Sequence, residues 1–287
     1  MTTTTTTDPG AMPVSDTNVH YDLEPEIFGL FLDPLRKYSS GLYRSPDDSL
    51  EQAQLQKLAF VADRLGVRGG ERVLDAGCGW GSVILHFAKE YGCRTTGISP
   101  AGAQHAYIAQ RAAELGVADR VTSVVGHFEE VELKDGGYDA VTMLGSIVHM
   151  PDLVGVLRKA RSLLRRGGRL YVSESCFRSD AVREEFDART GTRFVRESIF
   201  GYGELRPLSE LVRGAETAGF SVTSVDDLTA DYHRTIEDWI ANVHARADRI
   251  DAVRPGMAEK LVRYLEVANA GWGYTTKHYA LVCTKAR

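Results

Sequence analysis

The densest chemistry in the chain lies in Val73-Leu-Asp-Ala-Gly-Cys-Gly-Trp-Gly81. An apolar, strand-like run ends at Asp75, and Gly77, Gly79 and Gly81 follow at alternate positions before a helical pattern begins. Without Cβ atoms the backbone can turn sharply there and lie close against a ligand. The spacing is not G-x-G-x-x-G and no Gly-Lys-Ser/Thr follows, so neither a dinucleotide fingerprint nor a phosphate loop is matched. His149 is a second candidate, in Gly145-Ser-Ile-Val-His-Met-Pro151, just past the carboxyl end of a strand. Doubly wound sheets bind ligands at that edge. An imidazole there either accepts a proton from an oxygen or nitrogen acceptor or simply shapes a pocket wall. Glu174, after the following strand, either orients an acceptor and balances positive charge or pairs with an arginine. Tyr202, His233, Trp239 and Tyr264 offer aromatic faces to an apolar acceptor or a carbocation, although aromatics at helical spacing also serve as ordinary core.

These residues need a scaffold, and the pattern supplies one. Short apolar runs (RVLDAG, CRTTGIS, RVTSVVG, YDAVTMLG, GRLYVSES) alternate with helical stretches such as SVILHFAKEYG, AGAQHAYIAQRAAELG and DLVGVLRKARSLLRRGG. That alternation predicts parallel βαβ units in a doubly wound α/β sheet. Gly66, Gly92, Gly116 and Gly167 stand where a left-handed residue would close each helix. Upstream, Pro34 ends a first short helix, and Ser49 to Leu65 reads as amphipathic on Leu50, Ala53, Leu55, Leu58, Val61 and Leu65. Beyond Phe177 the rhythm changes. A charged segment leads into the aromatic, turn-rich RESIFGYGELRP. A helix over Pro207 to Gly219 and the strand FSVTSVDDL come next, and residues 230–272 are mostly helical before the closing strand HYALVCTKAR. Two insertions thus flank the late strands and are expected to form a lid. The organisation expected is a disordered lead over residues 1–17, an arm over the ligand face at 18–48, a core at 49–177, and lid segments with the last strands at 178–287.

Composition narrows the partners. The 287 residues carry 34 basic and 39 acidic side chains, for a net charge of -5 with no long run of either sign. Nucleic acid is therefore not expected as a partner, since phosphate neutralisation favours a basic patch. The longest apolar stretches fall short of the roughly 20 residues that cross a bilayer, so no stable membrane insertion is expected. The Thr-rich start has neither the basic nor the apolar region of a signal peptide. Cys78, Cys93, Cys176 and Cys283 show no C-x-x-C spacing and read as buried, reduced thiols, in keeping with a cytoplasmic protein. No His, Asp and Glu set stands at metal-ligand spacing, so no metal is expected.

At the glycine turn the sequence resembles the Rossmann-like, S-adenosylmethionine-dependent methyltransferases, whose first motif, D-x-G-x-G-x-G, is matched in full by Asp75, Gly77, Gly79 and Gly81. Tyr138-Asp-Ala-Val141 and Leu163-Leu-Arg-Arg-Gly-Gly168 fall in order as later landmarks of that class. Within it the chain is most similar to the cyclopropane fatty-acid synthase and mycolic-acid methyltransferase branch. The branch's signatures stand as His20-Tyr-Asp-Leu23, Tyr38-Ser-Ser-Gly-Leu-Tyr43 and Asp231-Tyr-His-Arg-Thr-Ile-Glu-Asp-Trp239. The resemblance implies a mostly parallel seven-stranded sheet, an N-terminal helical arm and a helical lid inserted around the last strands. It implies that S-adenosylmethionine lies on the glycine turn and beside Gly145, with Tyr38 and Ser39 near its carboxylate. Ser99 and Gln104 would take the ribose hydroxyls in place of the usual acid, and His127 and Phe128 the adenine loop. Tyr21, in the arm, would reach the acceptor pocket.

The branch members that close cyclopropane rings hold bicarbonate with a Cys, a Glu-His pair and a further His. Here Ser40, Val148 and Ser173 stand in three of those places and only His149 remains. These departures point away from ring closure. The expected function is transfer of one methyl to carbon, nitrogen or oxygen of a small apolar or prenyl-bearing acceptor in specialised metabolism. The lack of a metal set argues against catechol-type acceptors. The alternatives are methylation or cyclopropanation of an unsaturated acyl chain and, in another class, cofactor binding without turnover. The arm and lid also offer surfaces for a homo-oligomer.

Overall fold

The computed structural model describes residues 24–188 and 203–286. Five parallel strands build its centre: β1 (Arg72–Ala76), β2 (Arg94–Ser99), β3 (Val121–Val125), β4 (Tyr138–Leu144) and β5 (Leu164–Phe177). A two-residue strand, β6 (Arg206–Pro207), pairs in parallel with the end of β5. β7 (Phe220–Asp227) and β8 (Thr276–Lys285) complete the sheet, with β8 antiparallel to both β5 and β7. The order β3-β2-β1-β4-β5-β8-β7 gives the seven strands expected, with β6 as a short eighth. Chain direction around the sheet reverses between β1 and β4, which opens a crevice at their carboxyl ends.

Both faces of the sheet are covered, as parallel strands require. α2 (Leu50–Leu65) and α3 (Ser82–Tyr91) pack Leu58, Val61, Val83 and Phe87 on one face, against Val73, Ala140 and Tyr171. α5 (Leu153–Leu163) and α7 (Leu208–Thr217) pack Val156, Leu157, Leu211 and Ala215 on the other, against Leu74, Val141 and Leu170. α4 (Gly102–Glu114) closes the β2–β3 side against α3 through Ile108 and Ala112. α2 begins where a capping box predicts: Ser49 Oγ accepts from Gln52 N and Gln52 Oε1 accepts from Ser49 N, at 3.3 and 2.8 Å. Gly66, at φ 70°, ends it. Leu55 of the expected stripe is instead exposed, whereas Gln54 and Lys57 turn inward. α5 stops at Leu163 rather than running to Gly167, because Leu164 already pairs with Tyr138 of β4.

The arm and lid form a second apolar body. Ile27, Phe28 and Phe31 of α1 (Pro25–Phe31) pack with α8 (Thr229–Ala245), α9 (Ala247–Val253) and α10 (Met257–Asn269) through Trp239, Val243, Ile250 and Leu261. α6 (Asp180–Ala188) follows β5. The expected disordered lead, the His20–Leu23 signature and Tyr21 lie outside the described residues, as does Tyr202. Among the described residues, no helix is long and apolar enough to cross a membrane. All four cysteines are buried and free.

α8 carries two faces with different work. Asp231, Arg234, Thr235 and Asp238 grip the arm, while Tyr232, Ile236 and Trp239 face inward. Asp231 Oδ1 accepts from Tyr43 N (2.7 Å), and Asp238 Oδ2 accepts from Tyr43 OH (2.6 Å). Arg234 donates to the carbonyls of Ser45, Pro46 and Asp48. Thr235 Oγ1 accepts from Gly41 N at 2.8 Å and donates to Asp231 O at 2.7 Å. Thr235→Val keeps the shape but strands the buried Gly41 N–H, and is expected to cost about 1–3 kcal/mol in urea unfolding. A midpoint equal to that of the parent would show that the grip contributes nothing.

Candidate functional site

The three motif glycines do different things. Gly77 N and Cys78 N both donate to Ile98 O at 2.9 Å, which ties the turn to β2. A Cβ on Gly77 would stand 2.3 Å from Ser146 Cβ, and one on Gly81 would stand 2.6 Å from Ile108 Cγ1. Those two glycines let the β4 loop and α4 approach. A Cβ on Gly79 would meet nothing within 4 Å, and Gly79 lines a cavity. All three have positive φ, between 52° and 89°. Asp75 lies beneath the turn, fully buried, with Thr142 Oγ1 donating to Oδ1 at 2.7 Å. Its Oδ2 has no hydrogen-bond partner among the described residues. Burial raises the Asp75 pKa, against the pull of Lys37 and Lys57.

The cavity above the turn gathers most of the residues that the sequence assigns to a cofactor. Tyr38, Gly77, Gly79, Ser99, Gln104, His127, Phe128 and Gly145 all line it. Ser99 Oγ donates to Gln104 Oε1, which leaves Gln104 Nε2 buried and without an acceptor among the described residues. An orphaned donor beside a bare glycine turn fits a nucleoside whose hydroxyls supply the missing acceptor. The His127–Phe128 loop is held by Lys159, whose ammonium donates to Glu129 O and Val131 O at 3.0 and 2.7 Å. That ammonium also lies 5.3 Å over the Phe128 ring.

A second cavity, of about 350 Å³, adjoins the first. Phe177, Phe186, Leu205, Ile236, Leu265 and Trp272 give it apolar walls. Ring pairs Tyr38–Trp239, Tyr232–Trp272 and Tyr232–His278 have centroids 5.0, 4.8 and 4.7 Å apart and form an aromatic corner. The volume suits a small or medium-sized apolar ligand. Tyr38, Gly145 and His149 line both cavities and so mark the seam between them.

Glu174 supplies a carboxylate to the wall of the second cavity. Its Oε2 accepts from Val148 N at 3.2 Å and its Oε1 from Ser175 N at 2.9 Å. Burial nonetheless pushes its pKa up to about 7, against those backbone donors and the Arg206 charge. His278, with Nδ1 3.5 Å from Ser175 Oγ, is pushed down to about 3 by burial and the nearby Lys57, and stays neutral.

Several expected positions shift. Ser39 faces the second cavity, not the first, and its Oγ accepts from Lys57 Nζ at 3.0 Å. Asp75 and Gly81 support the turn from behind and do not line the cavity. His149 sits in a short 3-10 turn, Ile147–His149, at the seam, and Trp239 and Tyr264 line the second cavity. His233 does not join them. It is on the outer side of α8, 47% exposed, with Nδ1 3.5 Å from Glu237 Oε1. One residue along a helix is a rotation of about 100°, so its neighbour Tyr232 takes the inward place. Tyr21 and Tyr202 cannot be placed, lying outside the described residues. Sequence reasoning missed Tyr232, Trp272 and His278 on the second cavity and Lys37 on the first. The spacing of Tyr232, Ile236 and Trp239 was the available signal for the first of these.

The profile of the family described as mycolic acid cyclopropane synthetase matches residues 11–279. A Pseudomonas putida protein named "Probable fatty acid methyltransferase" is 29% identical over 257 residues, 89% of this chain and 64% of its own length. The chain thus spans less than two thirds of that relative. "Methoxy mycolic acid synthase MmaA3" of Mycobacterium tuberculosis is 29% identical over 268 residues, 88% of this chain and 87% of the relative. Among solved structures, the cyclopropane synthase MmaA2 from Mycobacterium tuberculosis superposes with a TM-score of 0.86 at 21% identity, covering 97% of this chain and all of the other. That likeness is one of fold.

The glycine geometry separates stability from binding. Gly77→Ala combines left-handed strain with overlap against Ser146 and is expected to cost roughly 2–5 kcal/mol in urea unfolding. Gly79→Ala has room for its methyl and should cost only about 1 kcal/mol. Titration with S-adenosylhomocysteine should nevertheless show weaker binding for Gly79→Ala, because the new methyl enters the cavity. Unchanged affinity would remove Gly79 from the binding surface.

Proposed function

Because the chain belongs to the mycolic acid cyclopropane synthetase family, among the S-adenosylmethionine-dependent methyltransferases, we propose that it methylates a carbon of an unsaturated acyl chain. The observation that carries this reading is the second cavity: apolar, aromatic-cornered and joined to the glycine-turn cavity at Tyr38, Gly145 and His149. The family and the names of the relatives favour an acyl acceptor over the small specialised metabolite expected from sequence.

S-adenosylmethionine supplies an electrophilic methyl on a sulfonium. On the first side of the seam, Gly79, Ser99, Gln104 and the His127–Phe128 loop would hold the nucleoside, with Tyr38 between the two cavities. The second cavity orients the chain and excludes water. Methyl transfer to the alkene carbon, with the thioether as leaving group, would leave positive charge on the acceptor. The faces of Tyr38, Tyr232, Trp239 and Trp272 stabilise that charge. Glu174 then takes a proton from the cationic acceptor and becomes a neutral acid, and the freed C–H pair becomes either a C=C π bond or the closing σ bond of a ring. Loss from a neighbouring carbon leaves a branched alkene, and loss from the incoming methyl closes a ring. His149 lies at the seam, where it bounds the reacting carbon.

The carboxylate form of Glu174 is the active one, and its pKa stands near 7. Activity should therefore fall as pH drops through about 7 and level off above it. Glu174→Gln should lose roughly a hundredfold or more of turnover while binding S-adenosylhomocysteine as the parent does. The assay is incubation with S-adenosylmethionine and unsaturated free or phospholipid-bound fatty acids, followed by mass spectrometry for gain of one CH2. Methylation of a non-acyl metabolite with no product on any unsaturated chain would overturn the acceptor. A Glu174→Gln enzyme with parental turnover and pH profile would overturn the base.

A further inference from the structure

The first cavity contains a cation that the family motifs do not assign. We propose that Lys37 is a cofactor-binding residue whose ammonium pairs with the α-carboxylate of S-adenosylmethionine. This rests on the cofactor reading above. Lys37 is 5% exposed and lines the cavity beside Gly77 and Gly79. Its backbone is fixed by Asp33, whose Oδ1 accepts from Lys37 N at 2.8 Å and whose Oδ2 accepts from Leu35 N at 2.9 Å. Arg36, the residue before it, has φ 53° and its guanidinium lies over the rings of Tyr107 and Trp80 at 4.3 and 5.1 Å. The segment that presents Lys37 is thus held at both ends.

The ammonium has counter-charges nearby but no closed ion pair among the described residues. Asp75 is the strongest of them, yet its Oδ2 bonds to no described residue. The Asp33 oxygens are engaged by backbone N–H groups. Lys57 lies close, but its amine donates to Ser39 Oγ and Gln54 Oε1, and burial together with Lys37 drives its pKa well down. Lys57 thus has hydrogen-bond acceptors of its own, whereas Lys37 lines the cavity. Leaving a buried ammonium without an anion is costly, and a ligand carboxylate offsets that cost. The place also suits an anion on independent grounds. α3, of ten residues, starts at Ser82 on the same cavity, and no side chain caps its N-terminal N–H groups.

The test compares two nucleosides that differ in the amino-acid portion. S-adenosylhomocysteine carries the α-carboxylate, and methylthioadenosine does not. Isothermal titration of both into the parent protein and Lys37→Met should show S-adenosylhomocysteine weakened by about tenfold or more and methylthioadenosine unchanged. Equal loss of both ligands, or loss of neither, would overturn the assignment. Should Lys37→Met fail to fold, as judged by its unfolding transition, Lys37→Gln is read by the same criterion. A parent protein that binds neither nucleoside would overturn the cofactor reading and this proposal together. Parental binding of both with no effect at Lys37 would overturn this proposal alone.

Discussion

Burial of four ionisable side chains in one place ties the arm to the sheet. Asp33, Lys37, Lys57 and Asp75 are each no more than 5% exposed, and each shapes the ionisation of another. Each of these groups that is ionised loses several kcal/mol of hydration, offset in part by the others and their hydrogen bonds. Asp33 and Lys37 come from the arm, Lys57 from α2 and Asp75 from the end of β1. Gln54 Nε2 adds a bond to Ser39 O at 2.8 Å. Docking the arm and shaping the floor of the glycine turn are consequently one event. Tyr38 sits between Lys37 and Ser39, so the residue that joins the two cavities is positioned by the same set.

The lid answers that constraint from the other side. α8 grips residues 41–48 with one face and walls the second cavity with the other, and Thr235 and Ile236 are adjacent members of the two. A helix whose faces are so divided cannot shift without loosening the arm, and the arm cannot lift without opening the wall. The aromatic corner gains rigidity from this arrangement. Tyr38 comes from the arm, Tyr232 and Trp239 from the lid, Trp272 from the approach to β8 and His278 from β8 itself.

Much of the sheet was legible because its signals are local. The glycines after helices and the alternation of apolar runs each report on a few neighbouring residues, and the strands and helices followed them. The glycine turn was legible for the same reason, whereas the Ser99–Gln104 pair was offered only by the family resemblance. Lys37 and Lys57 were not. A lysine in a sequence reads as solvated surface, and the burial of these two is decided by groups such as Asp75 that arrive from distant segments. His233 was misplaced because aromatic type was weighed without helical phase. α5 was drawn too long because Leu164-Arg165-Arg166 reads as helix until Tyr138 offers it a strand partner.

Glu174 shows why a missing motif residue is not a missing group. In sequence, Val148 stands where the related ring-closing enzymes carry a glutamate, and Ser40 and Ser173 replace two further ligands of an anion. Taken slot by slot, the site has lost its negative charge. In space, a carboxylate from β5 reaches the backbone N–H of Val148 itself, in the wall of the same apolar cavity. The Ser40 hydroxyl meanwhile turns away and donates to Gly41 O at 2.8 Å. A carboxylate fixed to the chain needs no dissolved anion to be captured, and its surroundings set its basicity. Two backbone donors would hold it acidic, but the apolar walls outweigh them and leave it near neutrality. Under the proposed function, a base poised there would take a proton at ordinary pH. The wall proposed to receive an acyl chain is thereby the same wall that raises the Glu174 pKa.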